Sequence, residues 1–112
     1  MNYLVITVLA FTLSSFADGS GAKMRIIVVD ENGSTISGAK VQVFTTHKAY
    51  EDEKNPVAKG ETGKKGYVEF KNLKEQKYYL LITKGKMNNH HSHNETDVLR
   101  LKGKNRFEIM ID

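Results

Sequence analysis

Cysteine is absent from the 112-residue sequence. Its absence excludes disulfides, thiol chemistry and the lipid-modified cysteine that tethers a bacterial lipoprotein, so a small domain must be held by its core alone. Proline occurs once, at Pro56, where it closes a charged stretch that begins at Thr46. No apolar run reaches the roughly 20 residues that a membrane-spanning helix requires. No segment sustains the 3.6-residue periodicity of an amphipathic helix, which leaves the chain to strands and turns.

The longest apolar stretch, Tyr3 to Leu13, is followed by Ser14-Ser15-Phe16-Ala17. Ser15 and Ala17 stand at the small-residue positions that a signal peptidase reads, although no Lys or Arg precedes the run. The expected organisation is a signal peptide over residues 1–17, a flexible Gly/Ser leader over 18–23, and one domain over 24–112. On this reading the protein is exported, periplasmic or secreted, and has no stable membrane anchor. Every charged residue lies at or after Asp18, so the net charge of +4 belongs to the domain. Lysines from Lys23 to Lys104 are interspersed with acids such as Glu51, Asp52, Glu53 and Glu75. Neither a basic helix nor an aromatic–basic interleave is present, so nucleic acid is not an expected partner and the charge reads as solubilising.

Past the leader, short runs rich in Val, Ile, Tyr and Phe alternate with Gly, Asn and Asp clusters. Met24, Ile26 and Val28 define one face of a first strand that is apolar on both sides. Asn32-Gly33 supplies a tight reversal. In the next strand, Ile36 to Thr45, Ala39, Val41 and Val43 share a face opposite Lys40 and Gln42, with Phe44 out of pattern on the polar side. Thr46 to Asn55 reads as a loop or at most a helical turn, and Val57 to Glu61 as a weak strand. Tyr67 to Phe70 and Tyr78 to Ile82 continue the inner face, with Tyr79 and Leu81 on the outer one. A closing hairpin is expected between Thr96–Leu101 and Arg106–Ile111. Seven short strands at this spacing predict an all-β fold, a seven-stranded Greek-key β-sandwich.

The ordered motifs Val28-x-Asp30-Glu31-Asn32-Gly33, Ile36-x-Gly38-Ala39-x-Val41-x-Val43, Thr62-Gly63-x-x-Gly66-x-Val68-x-Phe70-x-x-Leu73 and Tyr78-x-Leu80-x-Ile82 resemble the carboxypeptidase regulatory-like domains. The resemblance spans Met24 to Gly85 and implies a prealbumin-like, transthyretin-like sandwich. These positions are framework in that family and carry no activity with them. Thr46 to Pro56 is a longer connection than the family pattern has, and Gly63 stands where the pattern has an acid.

Three surfaces are candidates for chemistry. His90, His91 and His93 lie in the polar run Met87 to Glu95, and imidazoles at this spacing could share Zn, Cu or Ni, with His47 from the other long loop as a fourth ligand. The competing reading is a wet polar loop that requires no cofactor. Phe44, Tyr79 and Leu81 would form an outer apolar patch, suited to pairing two copies or docking a partner domain, unless a loop covers them. Unpaired strand edges offer a further route to another chain. Glu51-Asp52-Glu53 lacks the alternating acids of a calcium loop and reads as a solvated loop. Asn32-Gly33-Ser34 and Asn94-Glu95-Thr96 fit the N-glycosylation pattern.

For catalysis the sequence offers little. No Ser lies in a Gly-x-Ser-x-Gly turn. The chain also lacks the C-terminal Tyr-Arg-Gly-Ser that a transthyretin-like hydrolase would carry. The expectation is a non-catalytic exported module that binds a protein or glycan. A metal-binding protein is the alternative, and a small transthyretin-like enzyme the third reading.

Overall fold

The structure is a computed structural model that describes residues 21–112; the expected signal peptide and the first half of the expected leader, residues 18–20, lie outside the described residues. Strand β1 (Ala22–Val29) begins within the stretch read as leader: Ala22 is fully buried and pairs with Leu73, so Ala22 and Lys23 stand in the strand. The other elements are β2 (Lys40–Phe44), helix α1 (His47–Asp52), β3 (Ala58–Glu61), β4 (Tyr67–Leu73), β5 (Tyr79–Lys84), β6 (Met87–Asn88) and β7 (Arg106–Met110).

They form two sheets, a three-stranded one in the order β4-β1-β7 and a four-stranded one in the order β3-β2-β5-β6. The period-two alternation explains how the sheets face each other. Met24, Ile26 and Val28 of β1, Val41 and Val43 of β2, Leu80 and Ile82 of β5, and Ile109 of β7 all point into one apolar core. On one side the layers meet where β3 passes β4: a Cβ at Gly60 would lie 2.9 Å from the Val68 side chain and 3.3 Å from Phe70. Glycine permits that closure, because any larger residue would push β3 off β4.

The turns follow local chemistry. After β1, the Asp30 carboxylate accepts from the backbone N–H groups of Asn32 and Ser34, and Gly33 takes φ +84°. Before β4, Gly66 has φ +81° with Thr35 so close that any Cβ there would collide with it. Regular pairing of the second strand starts only at Lys40. Upstream, buried Thr62 bridges the segment, donating to the Ile36 carbonyl at 2.7 Å and accepting from Ala39 N–H at 2.9 Å.

Two sequence expectations are corrected. The closing hairpin does not form: β7 instead pairs in parallel with β1, from Arg25↔Arg106 to Val29↔Met110. The reason lies upstream, where Glu95 bridges to Tyr79 and places the chain at the edge of the four-stranded sheet, so residues 97–105 must cross to the other layer. Leu99 is buried on the way, while Leu101 stays 51% exposed. Buried Asn105 fixes the crossing: its amide donates to the carbonyls of Lys23 and Arg100, and its oxygen accepts from Arg100 N–H.

The second correction concerns the polar run from Met87. It contributes β6 and a fully buried Asn89, whose side chain acts as a short strand for β5. Asn89 accepts from Ile82 N–H at 2.9 Å and donates to the carbonyls of Leu80 and His93 at 2.9 and 3.0 Å. A buried amide with all these groups paired is stabilising, and one left unpaired is costly.

Candidate functional site: an open strand edge beside the histidine loop

The expected outer patch of Phe44, Tyr79 and Leu81 is assembled but not open. Phe44 and Leu81 are 0% and 4% exposed, so neither is available as an interaction surface; Tyr79 is half-buried. Helix α1 provides the cover. Thr46 caps it by accepting from Ala49 N–H at 3.0 Å, and Glu53 ends it with φ 52°. Six residues do not make a stable helix in isolation, so α1 is held by what it covers. The Tyr50 ring meets Phe44 edge-on at 6.2 Å and lies 6.5 Å from Tyr79, with His47 edge-on to Tyr79 at 5.5 Å. His47 is therefore an aromatic neighbour, 3.7 Å from Glu51, and does not approach the other three histidines as a ligand set would.

His90, His91 and His93 are all exposed. Among the described residues, no three His, Asp, Glu or Cys side chains are placed to hold a metal ion. The loop is shaped by its backbone: Asn88 accepts from His90 N–H, the His93 carbonyl is held by Asn89, and His91 stands 4.0 Å from Asp112. Asn32 is exposed in its turn, and half-buried Asn94 gives its carbonyl to Leu80 N–H.

This loop instead flanks an unpaired edge of the three-stranded sheet. On β7 the Asn105 carbonyl accepts from Arg25 and Ile111 N–H donates to Val29, so odd-numbered backbone groups face β1. By alternation, those of Arg106, Glu108 and Met110 face outward. Ser92 Oγ donates to the Met110 carbonyl at 2.6 Å, and Asp112 exchanges two backbone hydrogen bonds of 3.0 Å with Asn88. Those contacts close one end of the side. Among the described residues no hydrogen bond reaches the outward backbone groups of Arg106 or Glu108. A groove of about 300 Å³ runs along this stretch, between β7 on one side and His93, Glu95 and Asp97 on the other.

Glu95 is fixed on the groove wall by Lys77, 3.1 Å away. The hydrogen bond to Glu95, and then its charge, raise the Lys77 pKa above its ordinary 10.5. The contact therefore adds stability below that value and loses it as pH rises through the raised one. Imidazole spacing in the sequence singled out His93, and the apolar run marked residues 106–111 as a strand, but neither held a signal for a missing neighbour strand, because that depends on the parallel pairing of β7 with β1.

With this geometry in place, the comparisons define the class. The SpaA prealbumin-like fold domain matches residues 22–99, and the chain belongs to that family. The prealbumin-like sandwich expected from the framework motifs is thus the fold, and the family that matches is the SpaA one. Among solved structures, the chain is similar to the Bacillus anthracis TIE protein, with a TM-score of 0.57 and 18% identity over 80% of this chain and 16% of that one. It is also similar to the group B streptococcus pilus 2b backbone protein, with a TM-score of 0.56 and 17% identity over 80% of this chain and 41% of that one. The chain therefore spans less than half the length of either protein. No curated protein sequence is a match. No helix among the described residues is long and apolar enough to cross a membrane.

Proposed function

We propose that this protein is a non-catalytic, exported sandwich module that associates with a protein partner through the β7 edge. The observation that carries the reading is the pair of outward, unpaired residues Arg106 and Glu108 beside a groove, since such an edge can accept an extended segment as an additional strand. Backbone hydrogen bonds would supply affinity there, and the walls from Glu95, Asp97 and His93 would favour a segment bearing basic residues. Membership of the SpaA family and likeness to a pilus backbone protein and the TIE protein support a structural, surface-associated role.

The experiment is site-specific photocrosslinking in the native envelope, with the crosslinking residue at Asp97. Adducts with protein are expected and should disappear when Glu108→Pro is added, because that change removes an outward N–H while sparing the ladder to β1. Circular dichroism confirms that the variant is folded. Adducts that persist in the folded Glu108→Pro variant would rule out strand addition.

A further inference from the structure

A second feature lies on the outer face of the three-stranded sheet and shares Arg106 with the groove. Lys23 and Arg25 are two residues apart on β1 and share that face. Arg25 is in register with Glu69 on β4 and with Arg106 on β7. Lys104, in the segment leading into β7, completes a pocket of about 180 Å³ that also includes Asn105. Four cations and one carboxylate therefore line it.

The carboxylate is already committed. Glu69 Oε2 accepts from Arg25 Nε at 3.0 Å and from its terminal nitrogen at 2.9 Å, while the guanidinium lies 4.0 Å from the centre of the Tyr67 ring. Lys23, Lys104 and Arg106 form no ion pair among the described residues. Glu69 offsets the charge of Arg25 alone, so Lys23, Lys104 and Arg106 crowd the pocket without an anion of their own, and like charges held this close repel. The pocket is nevertheless built: the Asn105 amide donates to the Lys23 carbonyl at 2.8 Å, and Arg25 N–H donates to the Asn105 carbonyl at 2.8 Å. These bonds lock the Lys104–Arg106 segment against the start of β1. No sequence spacing announces the cluster, because its members lie at both ends of the domain and meet only through the parallel pairing.

We infer that this pocket binds a tetrahedral oxyanion, a phosphate or sulfate group carried as an ester on a larger molecule. Arg25 already holds Glu69 side-on, which leaves Arg106 as the other fork lining the pocket, and the two oxygens of a planar carboxylate would engage it without using Lys23 and Lys104. Three further cations around one small pocket match the several oxygens of a tetrahedral group. Arg106 also lines the groove beside β7, whereas Lys23 and Lys104 belong to this pocket alone, so replacing those two tests the pocket without touching the edge.

The test is an NMR titration of amide resonances in the whole chain at fixed ionic strength, with inorganic phosphate, inorganic sulfate and acetate as probes. Saturable shifts centred on Gly103, Lys104 and Arg106 are expected with phosphate and sulfate and not with acetate. The Lys23→Gln/Lys104→Gln double variant, which leaves the β7 edge intact, should weaken binding about tenfold. An oligomer of glycerol phosphate and a sulfated disaccharide then separate the two sources, and the one that binds more tightly than its inorganic ion identifies the ester. Shifts spread equally over Lys40 and Lys59 on the other sheet, an unaffected double variant, or no gain for either ester would each show an adventitious ion only and overturn the inference.

Discussion

The two sheets share one core yet present opposite outer faces. Outside the four-stranded sheet, Phe44, Leu81 and Tyr79 are apolar, and α1 lays Tyr50 and His47 against Phe44 and Tyr79. Outside the three-stranded sheet, Arg25, Glu69, Arg106 and Glu108 are charged, and no described element lies over them. The difference teaches where recognition can occur. An apolar outer face in a small sandwich is closed by local chain, because leaving it in water costs about 25 cal/mol per Å². A charged face has no such demand, so it stays available to solvent, ions and other chains.

The sharpest way to break this comparison is to empty the covered face. Phe44→Ala should destabilise the domain by about 3–5 kcal/mol, read from urea unfolding, because a fully buried ring is lost from beneath α1. A loss under about 1 kcal/mol would mean that α1 does not depend on that ring. Removing the cover is the milder change. Tyr50→Ala should cost on the order of 1 kcal/mol and raise binding of a hydrophobic dye as Phe44 becomes accessible. Unchanged dye binding would show that the face is protected by something other than Tyr50. The open face should respond least: a double-mutant cycle on Arg25 and Glu69 should give a coupling of about 0.2–1 kcal/mol that shrinks with added salt, since both side chains remain partly exposed. A larger, salt-insensitive coupling would place that face in a drier environment than the one described.

Much of the sandwich was legible because its central strands obey alternation. Met24, Ile26 and Val28, and then Val41 and Val43, read as core and are core. Phe44 was legible as an anomaly but not as a solution, since residues 46–55 carry no periodic pattern and α1 exists only through its contacts. The last third was misread where tertiary pairing outweighs local pattern. Two apolar runs separated by Lys102-Gly103-Lys104-Asn105 look like a hairpin, but the first is committed to the other sheet through Thr96 and Leu99, which leaves β7 to seek β1. The candidate site suffered for the same reason. Its side chains could be assigned to faces, whereas an unpaired backbone edge and a cation cluster drawn from residues 23 and 104 are consequences of topology.

That parallel pairing also sets how the domain would carry load. β1 enters at one end of the three-stranded sheet and β7 leaves at the other, so a pull applied between Ala22 and Asp112 drives the two strands in opposite directions along their shared ladder. The force then falls on all five registered pairs from Arg25↔Arg106 to Val29↔Met110 at once, as shear, and does not peel them open one after another. Forced unfolding is governed by the barrier to the first rupture, and here that rupture requires the whole ladder to give way together.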